Sequence, residues 1–192
     1  MSVDNRKILK VLILFLVFNF TTKKCFSQEY RLINTESELS IFGTSTLHDW
    51  EIKAESIKGR LTVDSLAIKT LKVEIEVESL KSGHKGMDKN TYKALNTDVY
   101  KTIEFEMTND GKLSQESNGK YLIETKGNLT ISGTTKNISL KFNIETNNNS
   151  MILIGEKTFN MTDFNIDPPK ALMGTIKTGN EITIKYQVVF NQ

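Results

Sequence analysis

The feature that most constrains this chain is a period-two alternation of apolar and polar residues that returns along its length. Leu71, Val73, Ile75 and Val77 alternate with Lys72, Glu74, Glu76 and Glu78. Successive side chains of a strand point to opposite faces, so such a segment presents one apolar and one solvated face. The pattern recurs at Ile103, Phe105 and Met107, at Ile138, Leu140, Phe142 and Ile144, and at Ile182, Ile184, Tyr186, Val188 and Phe190. Further strands are predicted over 37–45, 49–55, 57–64, 121–131 and 151–161, about eight in all.

The connections are short. Asn109-Asp110-Gly111, Ser117-Asn118-Gly119, Ser132-Gly133 and the polar run 146–150 are turn sequences that close antiparallel hairpins. Links of this length cannot carry crossover helices, so the fold class is all-β, an antiparallel meander. Long strands with one apolar face suit a closed barrel, which abolishes exposed edges, better than an open sheet. A two-sheet sandwich is the alternative. One segment breaks the rhythm: within 86–99, Met87, Thr91, Ala94 and Leu95 share a helical face, which predicts a short helix or two turns packed over the barrel or its mouth.

The beginning of the chain reads as an export signal over residues 1–27. Arg6, Lys7 and Lys10 precede the apolar run 11–18, too short for a stable span of about 30 Å of hydrocarbon. Cleavage is expected between Ser27 and Gln28. A lipoprotein anchor on Cys25 is the rival, disfavoured by Lys23 and Lys24 where small and aliphatic residues would be needed. Removing 27 of 192 residues leaves 165, enough for one domain over 28–192. It also removes the only cysteine, and with it disulfides and thiolate chemistry. Of 25 basic and 23 acidic residues, five and one lie in the segment, so 20 against 22 remain and the net charge becomes −2. With the remaining cations scattered among acids, no nucleic-acid partner is expected. The processed chain is expected to be periplasmic or secreted, not an integral membrane protein; a homodimer is compatible with it.

Candidate chemistry is sparse. His48 and His84 lack metal-ligand spacing with the nearby acids. Ser45, Thr46, His48 and Asp49 cluster in sequence, but neighbouring strand residues face opposite ways, which argues against a nucleophile and base in contact. No enzyme activity and no cofactor are expected; a hydrolase at His48 and Asp49 is the weakest of three readings. Trp50 reads as a core or rim aromatic. Gly127, Gly133 and Gly174 precede no phosphate loop and read as bulges and turns. Asn128-Leu129-Thr130 and Asn137-Ile138-Ser139 match the glycosylation pattern but fall in strands. A barrel of this size is filled by its own side chains or holds one ligand, and periodicity does not separate the two.

The run Gly127-Asn128-Leu129-Thr130-Ile131-Ser132-Gly133-Thr134-Thr135-Lys136 resembles the G-x-L-T-[apolar]-x-G-x-T-[KR] signature of the YceI-like proteins. Phe42 to Trp50, Tyr100 to Phe105, Asp163 to Ile166 and Gly179 to Ile182 extend the likeness over nearly the whole processed chain. Met87-Asp88 stands where members often carry Arg-Asp, and Lys101 where they often carry proline. The resemblance implies an exported, lipocalin-like extended barrel that binds a polyisoprenoid or quinone-type lipid in an apolar tunnel. The tunnel lining expected on the inward faces is Val73, Ile75, Val77, Ile103, Phe105, Met107, Leu140, Phe142 and Ile184. The main alternative is a secreted structural or interaction protein whose barrel is self-filled.

Overall fold

The structure, a computed structural model, describes residues 28–64, 67–117, 120–147 and 149–192. The expected export segment, with Cys25, lies outside the described residues, as do residues 118 and 119 of one expected turn. Among the described residues, twelve of thirteen strands form eight long staves. β1 (Gln28–Leu32) and β2 (Glu38–Ser45) make the first, and β3 (Trp50–Ala54) and β4 (Ile57–Asp64) the second. β5 (Ala67–Glu76) and β6 (Leu80–Lys81) make the third, followed by helix α1 (Lys85–Ala94). β7 (Thr102–Met107) and β8 (Gly111–Ser117) form the fourth. β9 (Lys120–Ile131), β10 (Thr134–Asn147) and β11 (Ser150–Asn160) follow singly; after β12 (Lys170–Ala171), β13 (Ile176–Asn191) is the eighth.

Every stave pairs antiparallel with its neighbours in sequence. The circle closes because β13 pairs with β2 from Thr178 to Gln187 and with β1 through Arg31↔Asn191 and Leu32↔Phe190. The sandwich alternative is set aside by this closure. Ser132 and Gly133, with φ of 47° and 76°, make the tight turn between β9 and β10 that their sequence predicts.

The staves bend where a side chain replaces ladder bonds. The Asn34 amide donates to the Glu55 carbonyl (2.9 Å) and its oxygen accepts from the Ile57 amide (2.7 Å), which ties the bend of the first stave to that of the second. The Ser79 hydroxyl donates to the Glu76 carbonyl (2.7 Å) at the third. Asn109 accepts from the Lys126 amide (2.7 Å) at the fourth. Two expectations change here. Asn109-Asp110-Gly111 does not close a hairpin; β7 and β8 both pair with β5 and β9, so it is a bend within one stave. Val77 does not continue its strand, because β5 ends at Glu76 and Val77 opens a 3-10 turn.

Inside the barrel, three aromatic rings lie over glycines of neighbouring staves: Phe105 over Gly127, Trp50 over Gly43 and Tyr186 over Gly155. Gly127 is therefore neither bulge nor turn, as its sequence suggested, but a mid-strand seat for a ring. Glycine leaves a strand short of packing, and a ring laid over it restores that contact. The Tyr186 hydroxyl is buried and has no hydrogen-bond partner among the described residues, and burial pushes its phenol well above the ordinary tyrosine range. An unsatisfied buried hydroxyl costs stability. Tyr186→Phe is expected to stabilise the protein by about 1 kcal/mol, seen as a rise of roughly 2–4 °C in the thermal midpoint; a fall would mean that the hydroxyl is bonded in solution.

Candidate functional site

The interior is divided along its length. Toward the end bearing the β4–β5, β8–β9 and β10–β11 connections, Leu61, Ile68, Ile123, Ile144 and Phe190 show no exposure at all and pack as a solid core. The other end is hollow. A cavity of about 750 Å³ is walled by Leu39 and Ile41 of β2, Trp50 and Ile52 of β3, Ile75, Leu80, Ile103, Ile131, Phe159, and Ile182 and Ile184 of β13. Helix α1 covers one side with Met87, Thr91, Ala94 and Leu95, the face that the sequence marks as apolar. Polar lining residues are Ser45, His48, Lys89, Asn90, Thr91, Lys170 and Thr178, so the middle of the barrel wall is apolar while polar groups come from α1, the β2–β3 turn, β12 and the mouth ends of β2 and β13. A volume in the usual range for small-molecule sites, with an apolar wall and a few polar groups, fits an amphipathic ligand.

The nine expected lining positions separate by height. Ile75, Ile103 and Ile184 stand at the cavity wall. Phe105, Met107 and Phe142 are buried in the packed core, and Val77 is buried in its 3-10 turn. Val73 and Leu140 are half-buried against the core. The reason is geometric: alternation states which face a residue occupies, not how far along the stave it lies. Leu39, Ile41, Ile52, Ile131, Phe159 and Ile182 are wall positions beyond those nine. The alternation of Leu39 and Ile41 was the signal available for two of them.

The helix is held in place by a small polar cluster. The Lys81 ammonium donates to the Tyr92 hydroxyl (2.7 Å), which lies 2.9 Å from the carbonyls of Glu78 and Leu80. Asp88 accepts from the Ser82 hydroxyl (2.6 Å) and amide (2.8 Å). Burial pushes the Asp88 carboxyl up, but these two bonds, with the charges of Lys81 and His84, outweigh it and hold the group below its ordinary value. A depressed carboxylate contributes stability above the unfolded value, about 3.9, and that contribution is lost as pH falls through the folded value. Trp50, the only tryptophan, shares the cavity wall with Met87 of the helix and reports on it. Acid titration is expected to change Trp50 emission below about pH 4, and Asp88→Asn to show part of that change at pH 7. Identical titrations of the two proteins would remove Asp88 from the helix contact.

Ser45, His48 and Asp49 serve the β2–β3 turn. The Ser45 hydroxyl donates to the His48 carbonyl (2.8 Å), and His48 Nδ1 lies 2.6 Å from the Asp49 carbonyl. The serine is thus engaged with backbone rather than with the imidazole. The two histidines, far apart in sequence, line one outer groove of about 470 Å³ between this turn and the start of α1, together with Lys53 and Lys81; His48, Trp50 and Met87 border both groove and cavity.

A model of the YceI-like domain matches residues 30–190. Among solved structures, the chain is similar to Burkholderia cenocepacia BcnA (TM-score 0.67, 16% identity, 82% of this chain and 98% of that one). It is similar as well to a polyisoprenoid binding domain from Saccharophagus degradans implicated in plant cell wall breakdown (TM-score 0.68, 11% identity, 84% and 97%). The Campylobacter jejuni YCEI protein is a third (TM-score 0.57, 19% identity, 71% and 81%). No curated protein matches the sequence.

Proposed function

This chain belongs to the YceI-like domain family, and from that premise we propose that it is an exported binding protein that holds an amphipathic polyisoprenoid or quinone-type lipid, with the tail in the barrel cavity. The observation that carries the reading is the apolar cavity of about 750 Å³ left open above a solidly packed core. The polyisoprenoid-binding domain to which the fold is similar supports the ligand class. Burial of hydrocarbon contributes about 0.8 kcal/mol per methylene, which outweighs the loss of chain and rigid-body freedom once a tail of several isoprene units is enclosed. Ile75, Ile103 and Ile184 contact the tail, and the polar groups at the mouth, with the adjoining groove, receive the head group. The binding is reversible burial and involves no chemistry. The basic and apolar beginning of the sequence supports export to a periplasm or beyond it.

The test is native mass spectrometry, with organic extraction, of protein purified from its own exporting host. A near-stoichiometric isoprenoid or quinone is expected. A clean apo mass, with no uptake of added polyprenol or quinone, would overturn the reading in favour of a barrel that serves protein contacts.

A further inference from the structure

The two ends of the barrel differ in what their connections show to solvent. Among the described residues, the large apolar side chains left exposed are Leu47, Val99, Tyr100 and Met173. All four lie on connections at the hollow end: Leu47 in the β2–β3 turn, Val99 and Tyr100 after α1, and Met173 at the tip between β12 and β13. Scattered exposed apolar residues are ordinary on a soluble surface, but their collection around one opening is not.

The tips that carry Leu47 and Met173 are tied to each other. The Thr46 amide donates to the Lys177 carbonyl (3.0 Å), the Lys177 amide donates to the Thr46 hydroxyl (3.2 Å), and that hydroxyl reaches the Thr175 carbonyl (3.4 Å). The two tips therefore form one bonded unit. Leu47 is 67% exposed and Met173 fully so. Met173 sits in the left-handed region, φ 55° and ψ 30°, a conformation unfavourable for a side chain of its kind. Leu47, His48, Pro169, Lys170 and Ile176 of this unit also line the cavity, so the exposed apolar tips continue directly into its wall.

Charge agrees. Helix α1 and the segment 170–177 carry Lys85, Lys89, Lys93, Lys170 and Lys177 against Asp88, while Asp49, Asp98, Asp163, Asp167 and Lys101 lie on the other connections at this end. These two elements are locally positive on a chain that is net negative once the export segment is left out of the count.

We propose that the hollow end of the barrel docks on a phospholipid bilayer, seating Leu47 and Met173 in the interface and bringing the cavity mouth to the membrane from which it loads. The inference rests on the binding function proposed above, since a ligand with a long apolar tail resides in bilayers rather than in water. Insertion of apolar side chains supplies the attraction, and the lysines favour anionic head groups.

Flotation of the processed protein with vesicles of phosphatidylcholine and phosphatidylglycerol tests it, with uptake of detergent-dispersed polyprenol followed separately through Trp50 emission. The native protein is expected to float, more weakly at high salt and with pure phosphatidylcholine. Met173→Asp, at a tip residue that does not line the cavity, is expected to lower vesicle binding about tenfold while leaving uptake from detergent within about twofold. Asn149→Asp, at the packed end, is expected to change neither. A native protein that takes up polyprenol but does not float, or a Met173→Asp variant that floats like the native protein, overturns the docking surface. A protein that floats yet takes up nothing leaves docking standing and sinks the binding function.

Discussion

Gly127→Ala is expected to destabilise the barrel by about 3 kcal/mol, a fall of roughly 6–12 °C in thermal midpoint. A Cβ at this position would stand within the van der Waals envelope of the Phe105 ring and 2.8 Å from the Glu106 carbonyl oxygen. The ring belongs to β7, whose Met107 pairs directly with Gly127, and the carbonyl belongs to the same ladder. Neither can move without disturbing the other: the ring is 9% exposed inside the core, and the backbone is fixed by its register. The double variant with Phe105→Leu is expected to recover part of the loss, because the smaller side chain vacates the glycine. Strict additivity of the two changes would show that the ring and the glycine do not interact. The outcome bears on the family signature as well. Its first glycine would then be a packing requirement of the fold, and its second, Gly133 at φ 76°, a requirement of the turn.

Much of the architecture was legible because each strand had one face to bury. Leu71 to Ile75 and Ile138 to Ile144 carry their facing in simple alternation, and the barrel presents those residues inward. The helix was legible for the same reason at a different period, with Met87, Thr91, Ala94 and Leu95 turned to the cavity. The bends were not. Asn34 does its work through Glu55 and Ile57, and Asn109 through Lys126, partners that no local window contains. The sequence Asn-Asp-Gly announces a change of direction, yet whether it closes a hairpin or bends a stave depends on those distant bonds. Wall positions suffered in the same way. On β2, Phe42 lies between Ile41 and Gly43 and carries a cation, Lys185, over its ring on the outer surface, so the local apolar run blurs an alternation that the barrel obeys. Height along the stave, which separates Ile103 from Phe105 and Ile184 from Val188, is set by where the opposite walls meet and has no signature of its own.

That division of height makes the second large effect specific. Ile184→Glu is expected to cut uptake of polyprenol by a hundredfold or more while the barrel stays folded, read from titrations of Trp50 emission beside the far-UV spectrum. Ile184 faces the cavity rather than a tightly packed neighbour, so a carboxylate there keeps access to the mouth and to water in the empty protein. Filling the cavity with hydrocarbon would strip that water away and leave the charge unpaired, a cost of several kcal/mol that falls on the bound state alone. Phe142→Ala is the complementary case. Phe142 is 2% exposed in the packed half, so its truncation is expected to cost about 3–5 kcal/mol of stability with little change in uptake below the melting range. If Ile184→Glu binds as the native protein does, the tail lies elsewhere. If Phe142→Ala loses uptake while still folded, the site extends down into what is packed in the empty barrel, and loading must open that core.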